Sequence, residues 1–312
     1  MNKHSIEAVW KLQARSVTRD LDLATEEVTY LLDLALEVKR NPDAFSTALK
    51  GRYLSLLFEK PSLRTRITFE VAIAQLGGSS TLSVGPVAER EPVKDVARNL
   101  DRWTDGIVAR TFAQETVVEL ARWSGVPVIN ALSDTYHPCQ ALADVLTMKE
   151  RFKELAGRRL AFVGDGNNVA HSLLLTAARL GVNVAVATPK GYEPKAEIVK
   201  QAAELATAAG ATVEISNDPE QVVREADAVY TDVWASMGQE QQKAERLEAF
   251  RMHQVTARLM SMAKPDAIFL HCLPARRGEE VTDEVIESPQ SAVFDQAENR
   301  LHSQKALLLM LL

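Results

Sequence analysis

The chain has 312 residues, 46% of them apolar and 25% charged, with a formal net charge of −6. This is the balance of a globular protein long enough for two domains, and net acidity without a basic block excludes nucleic acid as an expected partner. Two cysteines (Cys139, Cys272) give no disulfide framework, the C-terminal ALLLMLL is too short to span a bilayer, and MNKHSIEAVW lacks a signal-peptide core, so a cytoplasmic protein with no membrane partner is expected.

The first 50 residues read as two helices. In the second, Val28, Leu31, Leu32, Ala35 and Val38 share a face at helical spacing, with Thr25 as N-cap. Short apolar runs then alternate with helical patterns. Strands are predicted at 53–58, 81–84, 106–109 and 126–130, with helices at 64–76, 92–103 and 115–123 between them and a further helix at 140–152. A second series has strands at 160–163, 183–187, 212–215, 228–231, 267–271 and 292–294, separated by helices at 169–180, 195–209, 219–225, 239–250 and 282–287. A helix at 296–311 closes the chain. Strands alternating with helices imply an α/β fold: two domains, each a parallel sheet flanked by helices, with a cleft.

Ligands of open α/β sheets bind beyond the carboxyl ends of the strands. The polar clusters fall there: SLRTR after the first strand, Arg110 at the end of the third, SDTYHPCQ after the fourth, then GDGNN, DVWASMG, HCLPARRGEE and DQAENR in the second series. In SLRTR a helix start supplies unpaired N–H groups and the positive end of the helix dipole, and guanidinium groups add a fork suited to phosphate oxygens. Ser62 or Thr65 capping the helix, with solvated arginines, is the plain alternative, and Arg66 can pair with Glu70 one turn on.

Three other chemistries are disfavoured. Gly164-Asp165-Gly166 invites a dinucleotide reading, but Val169 stands where the third glycine belongs and no carboxylate ends the next strand; these glycines instead let the chain turn, leaving Asn167 and Asn168 near the cleft. His137, Cys139, His271 and Cys272 do not match a zinc spacing. His271 and Cys272 are adjacent on a strand, where neighbouring side chains point to opposite faces, so no metal is expected. His271 then reads as a strand-end core histidine, and Cys272 either faces the cleft or packs as a small hydrophobe. Ser133 and Ser236 lack a nucleophile elbow and read as loop donors. What remains is arginines, amides and hydroxyls without a nucleophile, a set that works by positioning and charge stabilisation. Asp232, in an apolar segment, offers a counter-charge to an amine. Glu279 and Glu280 read as solvated.

The motifs FEKPSLRTR, HPCQALAD, FVGDGNNVAHS, DVWASMG, HCLPARRGEEV and FDQAENRLH resemble, in order, those of the aspartate/ornithine carbamoyltransferase family, in particular its ornithine branch. The resemblance runs from about Tyr53 to the C-terminus. It implies a carbamoyl-phosphate-binding domain over 1–138, an ornithine-binding domain over 139–295, and a C-terminal helix, 296–312, returning to the first domain. It further implies a homotrimer or a multiple of trimers, with sites near subunit interfaces and no cofactor. The activity implied is transfer of the carbamoyl group of carbamoyl phosphate to the δ-amine of L-ornithine, giving L-citrulline and phosphate. By the resemblance, Ser62, Leu63, Arg64 and Thr65 hold the phosphate, and Arg110, His137, Gln140 and Arg300 the carbamoyl end. Asn168, Asp232, Ser236 and Met237 bind ornithine, Cys272 and Leu273 contact both reactants, and Arg110, His137 and Cys272 are the catalytic candidates.

The chain departs from the family pattern twice. Leu63 stands where the usual form has Thr, and the segment 82–91 lacks a glutamine that many relatives carry. The SLRTR form also occurs in relatives acting on N-acylated ornithine, so an N-acylated ornithine, or putrescine, is the alternative acceptor.

Overall fold

A computed structural model describes residues 9–235 and 243–312. The chain divides into two compact units, Met1–Leu142 with Asn299–Leu312, and Ala143–Glu298.

The first unit opens, among described residues, with an extended stretch and a short 3-10 turn rather than a first helix; Val17 forms an isolated bridge to Ile129. Helix α1 (Thr25–Arg40) follows, with the buried face expected from its spacing. Its N-cap is Ala24, not Thr25: the Glu27 carboxylate accepts from Ala24 N at 2.8 Å and does the work of a capping side chain. Then come β1 (Tyr53–Phe58), α2 (Leu63–Gln75), β2 (Ser79–Val84), α3 (Val93–Trp103), β3 (Gly106–Arg110), α4 (Gln114–Trp123) and β4 (Val128–Leu132). The four strands form a parallel sheet in the order β2-β1-β3-β4. β3 is buried along its whole length, as a central parallel strand covered on both faces must be. Its Ile107 and Ala109 pack with Leu57, Val117, Leu120 and Val128.

Helix α5 (Pro138–Phe152) starts in the first unit, and its residues from Ala143 belong to the second. There follow β5 (Arg159–Val163), α6 (Asn168–Arg179), β6 (Asn183–Ala187), α7 (Ala196–Ala208), β7 (Val213–Ser216), α8 (Pro219–Val223), β8 (Ala228–Thr231), α9 (Lys243–Ala249), α10 (Ala257–Met260), β9 (Ile268–His271), α11 (Asp283–Ile286) and α12 (Val293–Leu311). The sheet is parallel, in the order β7-β6-β5-β8-β9. The segment 292–294, predicted as a tenth strand, is not one. Phe269 makes one bridge, to Ser291, and Gln296 N already donates to Ala292 O, so helix formation takes over. The second glycine of Gly164-Asp165-Gly166 is explained by packing: a Cβ there would lie 2.2 Å from Pro194 N and 2.4 Å from the carbonyl carbon of Glu193. From Asn299 onward α12 belongs to the first unit, where Leu309 O accepts from Lys11 Nζ at 2.7 Å and Asn299 Oδ1 from Lys39 Nζ at 2.9 Å.

The strand orders decide which polar clusters become neighbours. β1, β3 and β4 are adjacent, so the segments leaving their carboxyl ends gather Ser62–Thr65, Arg110 and the 133–140 stretch. In the other sheet β5, β8 and β9 are adjacent and gather Gly164–Asn168, Asp232 and the residues after His271.

Candidate active site

In the first unit, Ser62 is the N-cap of α2, and its Oγ accepts from Thr65 N at 3.3 Å. The capping reading therefore describes real geometry, but it leaves Thr65 Oγ1 directed elsewhere. That oxygen, buried, accepts from Arg300 Nη2 at 3.1 Å. Arg300 Nη1 donates to Gln140 Oε1 at 2.6 Å. One guanidinium thus ties the helix that follows β1 to the helix that follows β4. Arg110, the last residue of β3, is only 8% exposed. His137 is buried at the start of α5, where its carbonyl accepts from Gln140 N at 3.0 Å. Burial, with added repulsion from Arg300 and Arg110, holds the His137 imidazole well below the usual histidine range. A neutral imidazole beside two guanidinium groups presents hydrogen-bonding nitrogens without a third cation. Leu63, the first helical residue, is 68% exposed, so its side chain makes no core contact. Arg66 points away to Glu70 at 3.2 Å.

The Glu59 carboxylate organises the same strand ends. Its oxygens accept from Val87 N at 2.9 Å and Phe112 N at 2.7 Å, joining the segments that leave β2 and β3. Sequence reasoning passed over it, although a charged residue closing an apolar strand was a visible signal.

In the second unit, Asp232 is 5% exposed. Its Oδ1 accepts from Val233 N at 2.7 Å and Cys272 Sγ at 3.0 Å, and its Oδ2 from Asn167 Nδ2 at 2.8 Å. These partners are all neutral, so the carboxylate is held in place without being neutralised. Asn167 rather than Asn168 makes that bond. It is also the N-cap of α6, accepting from Val169 N and Ala170 N; Asn168 is the first helical residue and half-buried.

Two expectations change here. His271 and Cys272 do not diverge to opposite faces: candidate ligand atoms of Asp232, His271 and Cys272 lie within 4.8 Å of one another. β9 ends at His271, so the alternation of a strand no longer governs Cys272. The His271 ring is nevertheless committed. Its Nδ1 accepts from Leu273 N at 2.8 Å, which places the ring proton on Nε2, 3.0 Å from Glu280 Oε1. Glu280, expected in solvent, is fully buried; Arg276 N also donates to it, at 2.6 Å. Leu273 sits in the left-handed region at φ 55°, a strained conformation that this relay through His271 holds. Ser236 and Met237 lie outside the described residues.

The profile described as "Aspartate/ornithine carbamoyltransferase, carbamoyl-P binding domain" matches residues 15–150, and the one described as "Asp/Orn binding domain" of the same family matches 156–311. The chain belongs to the aspartate/ornithine carbamoyltransferase family. It is 50% identical to an ornithine carbamoyltransferase of Halalkalibacterium halodurans, over 99% of this chain and 98% of that one. The solved ornithine carbamoyltransferase of Pyrococcus furiosus superposes with a TM-score of 0.94 at 47% identity, over 97% of this chain and 98% of that one. A solved acetylornithine transcarbamylase, complexed with acetylcitrulline, is more distant, at 31% identity and a TM-score of 0.85 over 94% and 98% of the two chains.

The His137 environment has a measurable consequence. Its imidazole resists protonation in the native protein but not in the unfolded chain, so its contribution to stability is intact above the unfolded value of 6.5 and is lost as pH falls below it. Denaturant unfolding from about pH 7.5 to about pH 5 should therefore show a smaller acid loss in His137→Gln than in the parent protein. Identical pH dependence in the two proteins would contradict the burial of a neutral imidazole between Arg110 and Arg300.

Proposed function

We propose that the protein transfers the carbamoyl group of carbamoyl phosphate to the δ-amine of L-ornithine, giving L-citrulline and phosphate. Carbamoyl phosphate belongs to the first unit. The start of α2, with Ser62, Leu63, Arg64 and Thr65, takes the phosphate, Leu63 through its backbone N–H, which is all that this position needs to supply. Arg110, His137, Gln140 and Arg300 take the carbamoyl end. Ornithine belongs to the second unit, at Asn168, Asp232, Ser236 and Met237, with Cys272 and Leu273 beside Asp232.

The chemistry needs no nucleophile from the protein. The neutral δ-nitrogen attacks the carbamoyl carbon, and its lone pair forms the new C–N bond. The carbonyl π-electrons move onto oxygen, giving an oxyanion that Arg110 and the neutral His137 stabilise as donors. Collapse of this intermediate restores the carbonyl and breaks the C–O bond to phosphate, which leaves with that electron pair into the cationic cradle. The nitrogen passes one proton to the departing phosphate, which leaves as hydrogen phosphate beside the neutral ureido product. Asp232 aims the reaction by holding the α-ammonium, so that the other amine is the one left to attack.

The observation that carries this reading is the Asp232 carboxylate, buried among neutral donors. A buried anion without a fixed cation is costly and suits a cationic ligand. It favours a free α-ammonium over an N-acylated one, and it opposes aspartate, whose extra carboxylate calls for more cation. Among carbamoyl phosphate assays with L-ornithine, N-acetyl-L-ornithine, putrescine and L-aspartate, ornithine should give the ureido product fastest by a wide margin. No citrulline from ornithine, with turnover of the acylated amine, would overturn the assignment.

We further infer a homotrimer or a multiple of trimers. Leu63, Ile67, Val84 and Phe112 are all exposed apolar side chains at the carboxyl edge of the first sheet, and a second copy of the chain would cover such a face. Sedimentation equilibrium should return three chains or a multiple of three; a monomer at assay concentration would refute this.

A further inference from the structure

Arg246 lies on α9, carries no role in the reading above, and is among the most buried cations of the second unit. Its Nη1 donates to Asp165 Oδ2 at 2.8 Å and to the main-chain oxygen of Trp234, also at 2.8 Å. The guanidinium is 4.9 Å from the centroid of the Tyr192 ring. Both side chains of the ion pair are less than a tenth exposed.

The two anchor points are placed alike. Asp165 lies two residues before Asn167, and Trp234 two residues after Asp232, while Asn167 and Asp232 are joined by the 2.8 Å hydrogen bond. A single nitrogen thus closes a loop of contacts: Asp165 to Asn167 along one turn, Asn167 to Asp232 across it, Asp232 to Trp234 along the other, and Trp234 back to Arg246. The first turn is tight, with Asn167 N donating to Asp165 O at 2.8 Å. Tyr192, under the guanidinium, accepts from Gly166 N at 2.9 Å and so fixes the residue between Asp165 and Asn167.

The charge arrangement follows the same logic. Burial pushes the Asp165 carboxyl up to about 6 despite Arg246, and the nearby Asp232 adds to the rise. Arg246 answers the charge on Asp165, while neutral donors hold Asp232. A buried ion pair is weak evidence for stability as such, because desolvation offsets most of its attraction. A geometric role explains why it stands beside Asp232.

We propose that Arg246 is a positioning residue for ornithine: it fixes the two turns carrying Asn167 and Asp232 and keeps Asp232 the carboxylate available to the α-ammonium. The proposal rests on Asp232 binding ornithine, so Asp232→Asn is measured alongside. Steady-state kinetics in both substrates should show KM for ornithine raised about tenfold or more in Arg246→Gln, with KM for carbamoyl phosphate nearly unchanged. Arg246→Lys, which keeps a cation able to donate twice, should recover most of the loss. The double variant Asp165→Asn/Arg246→Gln removes both buried charges; it should fold even where the single variant does not, and should keep the raised ornithine KM because Trp234 O still lacks its donor. An unchanged ornithine KM in Arg246→Gln, equal rises in both KM values, or a wild-type ornithine KM in the double variant would overturn the proposal. If Asp232→Asn leaves ornithine KM untouched, the assignment of Asp232 fails instead.

Discussion

The first unit depends on one buried guanidinium. Arg300 comes from the last helix and bonds Gln140 and Thr65, residues on two other helices far away in sequence. Burying a cation costs several kcal/mol unless hydrogen bonds compensate it, and here the Gln140 and Thr65 oxygens supply two. Arg110 adds a second cation at the end of the neighbouring strand, and His137 stays neutral because a third would be too costly. Two cations and a neutral imidazole are thus held by the first unit itself. The place of α12 follows from the same requirement, since its residues from Asn299 must belong to the first unit for Arg300 to reach Thr65.

The second unit solves the opposite problem. A buried carboxylate, Asp232, is fixed by an amide, a backbone N–H and a thiol. Its neighbour Asp165 is answered by an arginine, so the two carboxylates differ in what they can bind. The strained Leu273 is supported by His271, and His271 by fully buried Glu280.

Much of this was legible in the chain. Alternating apolar runs and helical patterns located the strands because parallel strands are buried on both faces and read as continuous apolar segments. The motif at Ser62–Thr65 announced a helix start, and the structure has Ser62 capping it. The misreadings have physical causes. Residues 292–294 have strand-like side chains, but hydrogen bonding there was decided by the helix that follows. Glu280 looks like a surface acid in sequence; it is buried against His271, a partner that no local pattern reveals. His271 and Cys272 were separated by a strand alternation that stops between them. The sequence left both Asn167 and Asn168 near the cleft, since only the three-dimensional path of the turn decides which amide meets Asp232. Arg246 carries no motif; its importance lies in two contacts distant in sequence.

The proposed anion cradle of the first unit depends on Arg300 in its buried position. Titration calorimetry of carbamoyl phosphate against the parent protein and Arg300→Met tests it most directly, with circular dichroism to confirm that both are folded. The affinity should fall by about a hundredfold or more, the scale expected on losing a buried charged contact. Carbamoyl phosphate binding equally well to a folded Arg300→Met protein would contradict that dependence.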